Sequence, residues 1–294
     1  MENEIMVRVT YISIIVLWST TPLAVKWSIE SGVLFGLMAR MSIGLFVLAC
    51  VFMLLRQTLT LNKDAIVAYV AAGLGIYFAM SLVYWGAQYI PSGWISVIFG
   101  LSPIITGVTS VIILGENHFT LNKTFGMMLG VSGLFVIFYT SAAIDVNVLF
   151  GVFAMLLSTL AHAVSAVALK KIDAPITGTQ STLGGLLIAV PLIGITYLFS
   201  AEEVSEFTPR SAVSIIYLGA IATAAGFSMY YFILKQLDAV KVSLITLISP
   251  VCALLLGALL NDEPITASIV LGGGLILSGL ALFELPVKQM KEAS

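Results

Sequence analysis

The 294-residue chain is 60% hydrophobic and only 10% charged, with a formal net charge of −2 and a mean hydropathy of +1.09. Soluble domains carry roughly 25% charged residues, so lipid rather than water must solvate most of this surface. The charge balance excludes a basic nucleic-acid surface and an acidic tail, no His/Cys cluster has metal-ligand spacing, and no glycine-rich phosphate loop follows a strand; no cofactor is expected.

The first apolar stretch starts after Arg8 and continues past Pro22 to Trp27 with no small-residue cleavage site, so it is expected to stay as a span. A helix needs about 20 mostly apolar residues to cross a bilayer core of roughly 30 Å. Cutting the chain at charged and turn-rich segments predicts ten such helices, near 8–28, 32–55, 64–86, 92–114, 121–139, 148–169, 179–199, 211–234, 240–260 and 266–284. The first carries Trp18 and Thr21, the second Arg40, the third Tyr84, and the fourth Ser96, Phe99 and Pro103 before Glu116. The sixth carries His162 and Ser165, the eighth Tyr231, and the ninth Ser243, Thr246 and Pro250 before Glu263. Cys50 and Cys252 lie in apolar runs and read as small buried hydrophobes. The connections are too short for an extramembrane catalytic or ATP-hydrolysing module.

On this division Arg8, Arg56, Lys63, Lys123, Lys170, Lys171, Lys235, Lys241, Lys288 and Lys291 fall on one side, against Lys26 and Arg210 on the other. The positive-inside rule then places both termini in the cytoplasm. Ser102-Pro103 with Glu116 recurs as Ser249-Pro250 with Glu263, 147 residues later; Ser96 matches Ser243, Tyr84 matches Tyr231, and Ser132-Gly133-Leu134 matches Ser278-Gly279-Leu280. The chain thus reads as one unit written twice, at 1–145 and 146–294. Five helices per unit is an odd number, so the second copy enters from the opposite face and the repeats are inverted.

Five-helix repeats closing on Pro-x12-Glu, with Trp18-Ser19 in helix 1 and Arg40 in helix 2, resemble the EamA-type drug/metabolite transporters over essentially the whole chain. The resemblance implies an all-α integral membrane bundle of ten helices around a central substrate cavity, serving export of small metabolites such as amino acids. Two departures stand out. His162 falls where a Trp is typical, and Asn261-Asp262-Glu263 replaces small-Gly-Glu.

At 100° per residue, Ser92, Ser96, Phe99, Pro103, Thr106 and Ser110 form one stripe on helix 4, and Ser243, Thr246, Pro250, Ala253 and Gly257 form its equivalent on helix 9. Pro103 and Pro250 are expected to free mid-membrane carbonyls and to act as hinges, with Gly126, Gly130 and Gly272-Gly273-Gly274 as further flexible contacts. Stripes of hydroxyls and glycines also serve plain helix packing. Trp18 and Thr21 face the cavity from helix 1, and Ser158, His162 and Ser165 from helix 6. His162 is either a packed histidine or a proton-sensitive cavity donor.

Arg40, roughly 12 Å from the outer end of its helix, either snorkels outward or faces a wet cavity, since all fifteen acids lie in termini, loops or span ends. Lys26 and Glu30, at i and i+4, are expected to form a solvated pair. Tyr84 and Tyr231 are candidate gates. Glu116 and Glu263 are expected to cap the N-terminus of the next helix.

The function expected is alternating-access transport of a small-molecule substrate, amino acids or similar zwitterions first, by a monomer or homodimer in a bacterial inner membrane. A proton-coupled drug/metabolite antiporter is the alternative, through His162, because no Asp or Glu occupies a span centre. An intramembrane enzyme or a non-transporting scaffold is the remaining class. Catalysis would need a nucleophile–base pair or metal set at one depth, which the sequence lacks. Sugar-phosphate antiport would need several cavity cations.

Overall fold

The computed structural model describes residues 2–115, 121–139, 146–205, 207–243, 245 and 249–284. Among them α1 runs Glu2–Ser28, α2 Val33–Leu54, α3 Lys63–Ala87, α4 Ser92–Phe99, α5 Ser102–Leu114, α6 Leu121–Tyr139 and α7 Val146–Ile172. Then follow α8 Gly178–Ser200, α9 Pro209–Tyr217, a π-helical segment Leu218–Phe227, α10 Ser228–Gln236, α11 Ala239–Ser243, α12 Ser249–Asn261 and α13 Ala267–Glu284. Among the described residues seven helical stretches are long and apolar enough to cross a membrane: Glu4–Ser31, Val33–Leu54, Lys63–Ala87, Ser92–Leu114, Val146–Ile172, Gly178–Ser200 and Pro209–Gln236. Large apolar side chains such as Phe46, Phe135 and Phe153 point outward, where only lipid can receive them, while Ile14, Leu37, Tyr84 and Met155 are fully buried.

Helix contacts come in exchange pairs. α3 packs on α7 and α8, as the α9–π–α10 helix packs on α1 and α2. α5 packs on α7 as α12 packs on α1, and α4 on α12 as α11 on α5, while α6 pairs with α13 and α2 with α8. Glycines show the pairing at atomic detail. A Cβ on Gly73 would stand 2.7 Å from Ile188 Cβ and 2.8 Å from the Gly185 carbonyl; one on Gly219 would stand 2.6 Å from Ile43 Cβ and 2.8 Å from the Arg40 carbonyl. The two crossings are built alike, with Arg40 standing where the other has Gly185.

The expected continuous helix over 92–114 is two pieces, broken at Gly100-Leu101. Pro103 lies in the first turn of α5 and Pro250 is the second residue of α12. A proline there loses no helical hydrogen bond, because the first-turn N–H groups have no intrahelical acceptor. The break at Gly100-Leu101 lies in the turn preceding Pro103, where a proline ring crowds the carbonyl four residues earlier; the residues just before Ser249 lie outside the described ones. The prolines inside described helices are Pro22 in α1 and Pro191 in α8. Gly126, Gly130, Gly133 and Gly279 hold the α6–α13 pair in close backbone contact, whereas Gly273 and Gly274 face open space. Gly126, Gly130 and Gly133 thus form a close helix contact with α13, while Gly273 and Gly274 take no part in it.

Candidate functional site

α1, α2, α3, α4, α7, the π segment and α12 surround a central cavity of about 90 Å³. Of the expected residues, Trp18, Thr21, Arg40, Ser96, Phe99 and His162 line it. Helical spacing explains this: Trp18, Thr21 and Val25 repeat at three and four residues and share one face. Pro22 and Met80, with Ala222, Phe227 and Ser249, complete the wall and were not anticipated. Alternating hydroxyl and aromatic signals could have found Ser249, which precedes Pro250 as Ser102 precedes Pro103.

Arg40 is 3% exposed and does not snorkel. Its Nε donates to Thr223 Oγ1 at 3.0 Å, and its guanidinium carbon stands 5.9 Å from the Tyr84 ring centroid. Thr223 comes from the π segment, a helix form that frequently accompanies functional sites. No carboxylate pairs with Arg40 among the described residues. A guanidinium has five N–H donors, and among the described residues only the Nε donor meets a protein acceptor; the cation lies at the cavity wall with capacity for a further acceptor.

His162 joins an aromatic cluster, 5.9 Å from Trp18, 6.4 Å from Phe99 and 4.9 Å from Tyr230 between ring centroids. Tyr230 also lies tilted against Trp18 at 5.4 Å and meets Tyr231 edge to face at 5.3 Å. Tyr230 lies six residues before the end of α10, about 9 Å at 1.5 Å per residue. That end is on the same face as the start of α1, where the Tyr11 hydroxyl donates to the Lys241 carbonyl. The rings therefore separate the cavity from that face. Ser165 and Tyr231 line a void of about 10 Å³ beyond His162, and the Ser165 hydroxyl donates to the Ala71 carbonyl. Ser158 is likewise committed, donating to the Ala79 carbonyl. Tyr84 does not line the cavity: it is fully buried behind Arg40 and accepts from the Ser28 hydroxyl. Thr246, Glu116 and the Ser243 side chain lie outside what the structure describes.

Acids close the opposite face. Glu263 accepts from Ser92 N, Ser92 Oγ and Gly93 N at 3.0, 2.9 and 3.2 Å. It therefore caps α4, a helix 170 residues earlier in the chain, and not the helix that follows it. The carboxylate sits where a helix N-terminus carries partial positive charge. Glu202 caps α2 in the same way through the N–H groups of Val33, Leu34 and Phe35. Lys26 donates to the carbonyls of Ala87 and Ile90 at 2.6 and 3.0 Å, and Glu30 pairs with Arg210. The expected Lys26–Glu30 pair is thus replaced by contacts that tie separate helices together. A carbonyl pair at the end of α3 satisfies a half-buried ammonium where a surface carboxylate would leave the helix end open.

A multi-pass helical membrane protein with a largely apolar central cavity that carries one buried cation on its wall has the build of a transporter. The profile of the EamA-like transporter family matches residues 8–139 and again 149–285, and the chain belongs to that family. It is 30% identical over 284 residues to a Bacillus subtilis (strain 168) protein described as uncharacterized transporter YoaV, covering 92% of this chain and 93% of that one. It is 24% identical to a probable terminal-alkyne amino-acid exporter of Streptantibioticus cattleyicolor, over 73% of this chain and 70% of the other. A solved crystal structure superposes with a TM-score of 0.70 at 17% identity, covering 95% of this chain and 97% of that chain, which shows a shared fold.

Proposed function

We propose that this transporter moves small carboxylate-bearing metabolites, amino acids or similar zwitterions first, by alternating access across a bacterial inner membrane with both termini in the cytoplasm. The observation that carries the reading is Arg40: a buried cation at the cavity wall, bonded through Nε alone and with no acidic partner among the described residues. Burying a charge without a counter-ion is costly, and a substrate carboxylate is the group that offsets it. The low-identity relative described as an amino-acid exporter supports the same class.

In this reading, residues 1–145 and 146–294 are inverted five-helix repeats of a ten-helix bundle. The double family match and the exchange pairs of helix contacts support that division. The cavity of about 90 Å³ is smaller than the roughly 300–1,000 Å³ of ligand sites, so binding a substrate would require it to widen. The two halves would rock about hinges at Pro103, beside the α4–α5 break, and at Pro250, as a monomer or homodimer. Movement down the substrate's own gradient fits a cavity wall without carboxylates. Coupling to protons through His162, which lines that wall, is the second reading.

The test is counterflow of labelled amino acids into proteoliposomes, with and without an imposed pH gradient. Saturable exchange indifferent to the gradient is the expected result. Exchange that follows the gradient selects the proton-coupled reading, and no exchange of any amino acid withdraws the substrate class.

A further inference from the structure

The cavity wall holds one cation and no Asp or Glu, so a zwitterion's ammonium has no anionic partner there. It needs neutral acceptors, and α1 supplies them. Pro22 lacks the N–H that would meet the Trp18 carbonyl four residues earlier, and its ring pushes that carbonyl off the helix axis. A carbonyl lies on the line joining residues i and i+4, and here both of those residues line the cavity. The released oxygen is therefore on the cavity side of α1.

Two hydroxyls add to it. Thr21 Oγ1 donates to the Leu17 carbonyl at 2.8 Å and Ser249 Oγ to the Ile245 carbonyl at 3.3 Å. Their hydrogens are committed, which leaves lone pairs for a donor. The Trp18 and Phe99 rings add π faces suited to a cation.

We propose that the Trp18 carbonyl released by Pro22, together with the hydroxyls of Thr21 and Ser249, forms an ammonium subsite in the central cavity. The inference rests on the amino-acid reading above and adds the second charged end. Trp18 is ten residues from the end of α1 and Arg40 seven from the start of α2. At 1.5 Å per residue these are about 15 and 10 Å from the same face. The two subsites thus differ in depth by about one helical turn, a span that a single α-amino acid bridges.

The test uses the purified full chain and a panel of amino acids, each taken through counterflow with its deaminated carboxylate and its decarboxylated amine as competitors. A thermal shift with each compound is recorded in detergent. In the wild type the amino acid should compete about tenfold better than the deaminated acid, the usual worth of a charge-assisted hydrogen bond. Pro22→Ala returns an N–H to the Trp18 carbonyl, and Ser249→Ala removes an acceptor without touching α1. Each should shrink that ratio toward one while leaving the deaminated acid's own competition nearly unchanged.

A straightened α1 that merely slowed transport would lower all rates and leave the ratio alone, which would overturn the proposal. So would a wild type that does not distinguish the amino acid from its deaminated form. Amino-acid binding in the thermal shift without counterflow would sink the transport reading and leave the subsite standing. Absence of both binding and counterflow would sink the subsite.

Discussion

Arg40 carries more of the chemistry than any other side chain, and its cost and its use can be separated experimentally. One Nε bond and a tyrosine face do not repay removing a guanidinium from water. Arg40→Leu should therefore leave the melting temperature in detergent unchanged or raised, while saturable exchange of carboxylate substrates is lost. A drop in melting temperature alongside lost exchange would mean that the arginine is structural. Arg40→Gln keeps an amide donor without the charge. It should raise KM for exchange about tenfold to a hundredfold, the range for losing a charged hydrogen bond of about 1.5–3 kcal/mol. The sequence left two courses open for Arg40, because an apolar helix with one cation looks the same whether the stem reaches out or stays in. What decides is Thr223, 183 residues away and displayed by a π segment that no local pattern announces. His162 shows the same limit. Its neighbours Trp18, Phe99 and Tyr230 come from three other elements, and only their convergence makes it part of an aromatic wall.

At the scale of elements, the energetics sit in helix ends and close crossings. Glu263→Ala removes three acceptor contacts from the start of α4 and should cost about 1–2 kcal/mol, as lost caps do. Gly257→Ala should act on the same cap from α12, because its Cβ would stand 2.5 Å from Glu263 Oε2 and 3.0 Å from Ser92 Oγ. Combining the two should add little, and full additivity in thermal melts would show that Gly257 acts elsewhere. At the α6–α13 seam, Gly279→Ala forces a methyl against the Gly126 carbonyl and the Gly130 amide. It should destabilise by about 1–3 kcal/mol, as overpacking does. Gly274→Ala meets nothing and should stabilise by up to about 1 kcal/mol through helix propensity. Seven of the expected spans were legible because long apolar runs have one physical meaning in lipid. The break at Gly100-Leu101 was not, since a proline in the first turn of a helix and one in its middle have the same apolar neighbours in sequence. The caps were legible as helix-end acids but not in their targets: Glu263 and Glu202 reach helices about 170 residues away.

At the scale of the molecule, the contacts toward the two faces differ in kind, and the alternating access proposed above would have to break them one at a time. Toward the face where α1 begins, the seal is the packed rings of Trp18, Phe99, His162 and Tyr230. Toward the other face it is polar. Lys26 holds the end of α3 and Glu263 the start of α4, so the turn at 88–91 is tied to α1 and to the end of α12. The Trp27 indole reaches Asn261, which in turn donates to Glu263, extending that tie. Loosening one seal without touching the cavity should shift the population toward the form open on that side, by as much as the lost contacts favoured closure. Lys26→Met with Glu263→Gln keeps the side-chain volumes and weakens only the polar seal. In a background with Cys50 and Cys252 replaced by alanine, a cysteine in place of Ser96 reports access to the cavity wall. Membrane-impermeant thiol reagent added from the face of Lys26 should label it several-fold faster in the double variant. Reagent from the opposite face should label it no faster, or more slowly, because the aromatic seal closes as the polar one opens. Faster labelling from both faces would mean that these contacts hold the fold together rather than gate it, and rocking between two sealed ends would then be the wrong description of how this transporter works.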